Sequence, residues 1–447
     1  MASEVAQAYV TKSFLIDIIT RDIGITEAIL ELVDNSLDRA VELFEIDVTK
    51  SLVEDYQFNA KLKLSEPITV NIRLSKNDFV IEDNCGGISR EDLENEVFIF
   101  GNPKEDTNYN GLSAFGIGMK RAFFKLGKKV ELYTTTEDEE SAVIWDINEW
   151  LELGEENWNI PFSNVDDVSL EYEHELPGTI IKLEELNESV KSRFEQVEFI
   201  NALKSRLKIG YALFIKSGVK ILLNGEELTH NLPGFFTSEE IGYTSKKIKH
   251  KDVEIQLLAG ISPVEDRTPR GWYVFCNGRM VLEADKTTET GWGTALPQFH
   301  PKFNHFLGFA SFKSKNVKSL PWSSTKWGVE RDSPVYLVAL EEMHLQTTPI
   351  TNVLDRWKDS KDDDDIPTIG LKELLRDGKV VSVFASAKAE ATFEYKPKKE
   401  RPDTIRISFI KDRSLVESVK EALGNPKMKN STVGELVFDY YVESELG

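Results

Sequence analysis

The chain has 447 residues, 40% of them hydrophobic and 29% charged, enough apolar material for two or three domains with sizeable cores. A formal net charge of -22 excludes a surface that binds nucleic acid nonspecifically over its whole extent, because phosphate affinity needs clustered Lys and Arg. Two cysteines, Cys85 and Cys276, in no metal-ligand spacing exclude a disulfide framework and suit a reducing, cytoplasmic compartment; no apolar run reaches the ~18–20 residues of a spanning helix, and the first residues lack the pattern of a secretion signal.

Residues 1–26 form a short lead-in in which Phe14, Leu15, Ile16, Ile18 and Ile19 are apolar and Thr26 is placed to cap the next helix. That helix, EAILELVDNSLDRA (Glu27–Ala40), carries Ile29, Leu32, Val33, Leu37 and Ala40 at helical spacing. Glu31, Asp34, Asn35 and Asp38 share its opposite face. Carboxylates so placed repel one another, so the face is either plainly solvated or lines a site that holds a cation and water. An acidic stretch at 45–66 leads into two strands, Ile68–Leu74 and Asp78–Asn84, the second ending in the glycine turn Asn84-Cys85-Gly86-Gly87. Glu91–Phe100 has a helical pattern, and residues 101–115 have the composition of a loop. Phe115–Gly127, FGIGMKRAFFKLG, is a glycine turn opening a helix, followed by strands at Lys129–Thr135, Ser141–Ile147 and Gly178–Leu186.

Strands and helices mix here without regular βαβ alternation, which predicts an α+β domain over residues 1–190: a mixed, mostly antiparallel sheet with helices on one face. A second α+β unit is expected over 191–360. It has a helix at Val190–Tyr211, a strand at Val219–Leu223 closed by Asn224-Gly225, and a strand at Val253–Ile261. A hairpin with Asn277-Gly278 at its tip, a strand at His305–Phe312, and helices around Val335–Met343 and Ile350–Trp357 complete it. The acidic run Asp362–Asp365 before Pro367 reads as a linker, and residues 361–447 as a small α/β segment with a strand at Thr404–Ile410 and two short helices.

Three pieces suit three parts of a nucleotide: the polar helix face, an Asp at a strand end beside glycines, and a glycine turn leading into a helix. A buried Asp accepts the exocyclic amino group of adenine, and flanking glycines let backbone approach the flat base. A helix start exposes N–H groups and the positive dipole end to phosphate oxygens. An Asn among carboxylates can ligate Mg2+ through its carbonyl, and a Glu on the same face can deprotonate water.

Their order and wording resemble the GHKL ATPase superfamily: gyrase B, the ninety-kilodalton heat-shock chaperone, histidine kinases and MutL. ELVDNSLDRA looks like its first signature, IEDNCGGI like the second, FGIGMKRA like the third and Gly178-Thr179 like the last, so the resemblance covers roughly residues 13–190. It implies a Bergerat-type α/β sandwich that binds ATP and Mg2+. Position by position, it makes Glu31 the general base and Asn35 the Mg2+ ligand. Asp83 would bind adenine with Thr179 in support, and Gly116 and Gly118 would lie on the phosphates. Lys120 matches the lysine that type II topoisomerases place after the glycines. One departure stands out: the family's glycine two residues after the adenine-binding Asp is Cys85 here, leaving Gly86 and Gly87 to supply the close approach.

Residues 195–345 resemble the transducer domain of the gyrase, MutL and MORC branches, through Asn277–Val281 and through LPWSSTKWGVERDSP (Leu320–Pro334). The family carries a loop lysine to the terminal phosphate there; Lys326 is the candidate, with Lys313 and Lys318 as alternatives. The resemblance thus implies a MORC/MutL-like ATPase acting as a nucleotide-gated homodimeric clamp on DNA or a partner protein, with no membrane partner. A chaperone-like ATPase with protein clients and a non-hydrolysing, ATP-switched adaptor are the alternatives. A histidine kinase fits poorly, since no His precedes the first signature.

Overall fold

The computed structural model describes residues 10–52, 56–58, 62–101, 110–113, 116–238, 240–262, 268–359, 379–381, 390–395, 407 and 409–446. The chain divides into two compact units, Met1–Lys361 with Ile369–Lys398, and Asp362–Thr368 with Lys399–Gly447. The expected linker at Asp362–Asp365, most of the loop at 101–115 and most of the strand at Thr404–Ile410 lie outside the described residues.

In the first unit, helix α1 (Lys12–Arg21) precedes helix α2 (Ile25–Phe44). The latter starts earlier than the sequence suggested, with Gly24 rather than Thr26 at its N-cap. Glu27, three residues on, folds its carboxylate over the space that a side chain at position 24 would fill. Strands β1 (Thr69–Leu74) and β2 (Phe79–Asp83) follow, then a helical turn at Arg90–Asp92 that widens into a π-helix at Leu93–Val97. Helix α3 (Gly118–Leu126) leads to β3 (Lys129–Thr135), β4 (Glu140–Asp146) and β5 (Gly178–Glu184).

These strands form a seven-stranded sheet in the order β4-β3-β5-β2-β1-β6-β7, completed by β6 (Lys220–Leu223) and β7 (Glu226–Glu227). Every pairing is antiparallel except β1 with β6, which run parallel. Helices α2 and α3 pack together. Ala28, Leu32, Val33 and Phe123 are buried with the sheet's Val70, Ile72, Ile81 and Leu132. An aromatic knot closes one end: Trp145 lies 5.5 Å from Phe124 and 5.4 Å from Trp150, edge-on in both cases.

A second sheet, in the order β12-β11-β13-β10-β9, is built from β9 (Thr244–His250), β10 (Val253–Ile261), β11 (Trp272–Cys276), β12 (Arg279–Asp285) and β13 (Phe306–Lys313). The β11–β12 hairpin turns on Asn277 (φ 47°) and Gly278 (φ 86°), the paired left-handed conformation that an Asn-Gly turn favours. The helical pattern at Val190–Tyr211 resolves into Glu188–Phe194 and α4 (Val197–Gly210). The two expected helices after residue 334 are one, α5 (Pro334–Asp359), with Pro349 inside it. Proline removes the N–H that would bond the Leu345 carbonyl, and Leu345 stands at an exposed position where water can take that carbonyl.

Gly178 shows how tightly strand β5 sits against β2. A Cβ there would fall 1.9 Å from the Asp83 carbonyl oxygen and 2.8 Å from the Asn84 Cα. Both are backbone atoms held by the sheet. Gly178→Ala is therefore expected to destabilise the fold by about 1–3 kcal/mol, read as a lowered midpoint in thermal or urea unfolding.

Candidate functional site

Helix α2 presents its polar face along a cleft lined by Glu31, Asn35, Gly87, Gly116, Gly118, Lys120, Arg121 and Lys326. Seven of the nine residues singled out from the sequence therefore meet on one surface. Asp83 and Thr179 are buried and are not among the lining residues.

Glu31 is held at both carboxylate oxygens. Arg121 donates from Nη2 to Oε1 at 2.6 Å, and Lys326 donates from Nζ to Oε2 at 3.3 Å. The same carboxylate abuts the start of α3: a Cβ on Gly118 would lie 2.4 Å from Oε2. A side chain at 118 would therefore push the Glu31 carboxylate out of its place between Arg121 and Lys326.

One turn along, Asp34 is 1% exposed and accepts from three side chains. Lys326 Nζ donates to Oδ2 at 2.8 Å, while Tyr211 Oη at 2.7 Å and Arg279 Nε at 3.0 Å both donate to Oδ1. Burial would raise the Asp34 carboxyl, but Lys326 and Arg279 outweigh it and hold the group below its ordinary range. Burial would likewise lower the Lys326 ammonium, but Asp34 and Glu31 more than reverse this and raise it. The Arg279 guanidinium lies 4.6 Å from the Trp327 ring centre, and that ring also receives Arg206 at 3.9 Å. Lys326 stands in a tight turn with a left-handed backbone (φ 57°), in which its N–H donates to the Ser323 carbonyl at 2.9 Å. Of the three candidate lysines, Lys326 lines the cleft, whereas Lys313 is paired with Asp47 at 2.8 Å.

Asp83 ends β2 directly opposite Thr179 on β5. Its carboxylate accepts from the Ser36 hydroxyl at 2.5 Å and from the Cys85 N–H at 3.0 Å. Burial nevertheless dominates and raises its pKa. Thr179 Oγ1 lies 3.0 Å from Thr134 Oγ1, and the latter accepts the Ile88 N–H at 2.7 Å. Gly87 takes a left-handed φ of 66°, and a Cβ on it would strike the Thr135 carbonyl oxygen at 1.9 Å. Cys85 is fully buried and its thiol is pushed up by that burial, which removes it as a nucleophile.

Gly116 (φ 64°) turns the chain into α3. Lys120 donates to the Val97 and Ile99 carbonyls, both at 2.8 Å, and burial lowers its ammonium to about 8. Asn35 Oδ1 accepts from Ser113 at 3.3 Å, and its buried Nδ2 has no hydrogen-bond partner among the described residues. Among the described residues no group of three or more His, Cys, Asp or Glu is arranged to hold a metal ion. A cation here would thus lean on the Asn35 carboxamide and on oxygens of the bound substrate.

Residues 23–175 match the family of histidine kinase-, DNA gyrase B-, and HSP90-like ATPases. The match supports a GHKL-type ATPase domain that binds ATP, and it spans Glu31, Asn35, Asp83, Gly87, Gly116, Gly118 and Lys120. Thr179 and Lys326 lie beyond its end. No curated protein matches the chain. Among the described residues no helix is long and apolar enough to cross a membrane.

The cleft and the side chains behind it also include residues that the sequence did not single out. Ser36 is one, next to Asn35 and bonded to Asp83. Arg121, Tyr211 and Arg279 are the others; the last two reach Asp34 from 177 and 245 residues away, a separation that leaves no local signature. Asp34→Ala is expected to cost about 3–5 kcal/mol, because Lys326 and Arg279 would stay buried without their counter-charge. Because the Asp34 pKa is depressed, its contribution is full above the ordinary carboxylate value of 3.8 and fades as pH falls through the lower folded value. Unfolding followed over a pH series in both proteins checks the size and the acid limb together.

Proposed function

We propose that the chain hydrolyses ATP and acts as a MORC/MutL-like, nucleotide-gated clamp. On ATP binding, two copies close their N-terminal regions together around DNA or a partner protein. The observation that carries this reading is the set of cations that reach the cleft at the start of α3. Arg121 and Lys326 line it, held in place by Glu31 and Asp34, with Lys120 beside them. The phosphates of a nucleotide are anions that these cations would hold.

On this reading Asp83 accepts the adenine amino group, with Thr179 beside it, and Gly87 lets backbone approach the base. Gly116 and Gly118 present N–H groups to the phosphates, and Lys120 steadies the same end. Asn35, which lines the cleft, would hold Mg2+ through its Oδ1, which accepts only a long 3.3 Å bond from Ser113. That ion, when bound, neutralises charge on the phosphates. Without nucleotide, Lys326 is tied to Glu31 and Asp34. A terminal phosphate competes for the ammonium, which frees Glu31 Oε2 to accept a proton from water. The water oxygen attacks the terminal phosphorus, the bond from that phosphorus to the bridging oxygen breaks, and ADP and phosphate leave. Arg121 keeps the carboxylate oriented throughout. Lys326 belongs to a loop beyond the family-matched stretch, which supports its role in passing nucleotide state to the second sheet. Two buried free cysteines support a reducing, cytoplasmic setting.

Glu31→Gln is expected to lower turnover by ~10²–10⁴-fold with ATP binding retained, read by phosphate release and by equilibrium binding of a fluorescent ATP analogue. Hydrolysis at the wild-type rate would remove Glu31 as the base. Tight binding without turnover in the wild type would leave the switched adaptor. Nucleotide affinity should fall on acidification with a midpoint above the ordinary 3.8 of an aspartate, because burial raises Asp83 and its carboxylate is a stronger acceptor for the adenine amino group than the protonated acid. Asp83→Asn should abolish that pH dependence. Sizing with ADP and with a nonhydrolysable ATP analogue, with and without DNA, checks the clamp. A nucleotide-dependent change in mass or hydrodynamic radius is expected, and a chain that is monomeric in every state overturns it.

A further inference from the structure

The loop between β12 and β13 walls a concavity of about 670 Å³ that shares no lining residue with the cleft on α2. That size suits a small organic ligand. Trp292, Leu296 and Phe299 make its apolar side, and Lys286, Thr288 and Gln298 its polar side. No carboxylate lines it, although the chain carries a net charge of -22. Acidic residues do edge both the α2 cleft and the crevice around Glu82 on the first sheet.

The loop is held in shape by its own bonds. Asp285 accepts from the Thr287 N–H at 3.1 Å and from the hydroxyls of Thr287 and Thr290 at 2.9 and 2.6 Å. The Trp292 N–H donates to the Thr287 carbonyl at 3.0 Å. The Trp292 ring meets Phe299 edge-on at 5.0 Å and lies 5.5 Å from both Phe303 and Phe306, which ties the pocket wall to the start of β13.

Lys286 is half-buried, with its Nζ 4.8 Å from the centre of the Phe299 ring. Burial, with Arg270 nearby, pushes its ammonium below the ordinary lysine range. Among the described residues no carboxylate pairs with it, and the adjacent Asp285 is taken up by Thr287 and Thr290. A partly desolvated ammonium on a wall without carboxylates is matched by an anion. The remaining donors limit that anion. A phosphate dianion asks for several converging N–H groups. Here the Gly293 N–H already serves the Leu296 and Pro297 carbonyls, and the Thr287 hydroxyl serves Asp285. Arg331, whose Nη1 donates to Thr288 Oγ1 at 3.5 Å, adds positive field at the rim without lining the pocket. One ammonium and the Gln298 carboxamide suit a single carboxylate, and the aromatic side suits a flat ring. We propose that this pocket binds a small aryl carboxylate, with its carboxylate on Lys286 and Gln298 and its ring against Trp292, Leu296 and Phe299. The site is independent of the nucleotide chemistry proposed above.

The test titrates indole-3-acetate and phenylacetate into the full chain by calorimetry, each beside its uncharged amide. Saturable binding of at least one acid is expected, with its amide weaker by about tenfold or more. Lys286→Gln should remove that preference and Lys286→Arg should keep it, both at an unchanged thermal midpoint. Phe299→Ala should weaken acid and amide alike. The proposal is overturned by an absence of saturation with either acid at millimolar concentration. Equal affinity for acid and amide, or a preference that survives Lys286→Gln, overturns it too. A peptide ending in Phe that binds more tightly than both acids would replace the small molecule with a chain end and so sink the occupant named here. A nonhydrolysable ATP analogue titrated into the same proteins should bind unchanged, so this site and the nucleotide site fail separately.

Discussion

The structure turns on the buried carboxylate of Asp34. A charge that deep in protein is tolerated only when it is paired and hydrogen-bonded, and here three donors from three separate places in the chain converge on it. Tyr211 follows helix α4, Arg279 opens β12, and Lys326 sits in a loop after β13. All three are buried, and the charged Arg279 and Lys326 would be destabilising where they are without Asp34. The interaction therefore joins the helix that opens the family-matched stretch to the end of α4, to edge strand β12 and to the loop after β13. Glu31, one helical turn earlier, is drawn into the same set of charges through Lys326. Chemistry and architecture thus draw on one cluster of side chains.

That sharing has a mechanical side. Lys326 is bonded to two carboxylates at once and is held in a strained left-handed turn. A second link runs from the hairpin tip, where Asn277 Nδ2 donates to the Gly111 carbonyl at 2.7 Å and to the Ser314 carbonyl at 2.9 Å. Asp38 accepts the neighbouring Leu112 N–H at 2.6 Å. The segment at 110–113, just ahead of Gly116 and Gly118, is thus gripped by α2 on one side and by the β11–β12 turn on the other. Displacement of that segment would be felt by α2 and by the β11–β12 turn together.

Much of this was legible in the sequence where the signal is local. The alternating strands at Thr69–Leu74, Phe79–Asp83, Lys129–Thr135 and Val253–Ile261 fall where the period-two pattern and its turn residues put them. Both Asn-Gly turns take the expected left-handed pair of residues. Local rules failed where a neighbour in space decides. Gly24 caps α2 because Glu27 occupies the adjoining space, and α5 runs through Pro349 because an exposed carbonyl can lose its donor. The acidic face of α2 was ambiguous for the same reason. Asp34 looks like one more solvated carboxylate until Tyr211 and Arg279 arrive from far along the chain, and no periodicity or spacing announces them.

The parallel pairing of β1 with β6 carries a practical consequence. Thr69–Ile72 hydrogen-bond along their length to Lys220–Leu223, which lie well past the end of the stretch that the family covers at residue 175. Cutting the chain at that end would remove β5 as well as β6, leaving β1, β2 and β3 each with a bare row of N–H and C=O groups, and would strip Asp34 of all three donors. Such a fragment would keep the signatures up to Lys120, yet its sheet would be split between β3 and β2 and a charge would be left unpaired beside it. The nucleotide site is therefore not a cartridge that can be lifted out and reused. It is woven into the rest of the molecule, and any transplant must carry residues through at least Lys326.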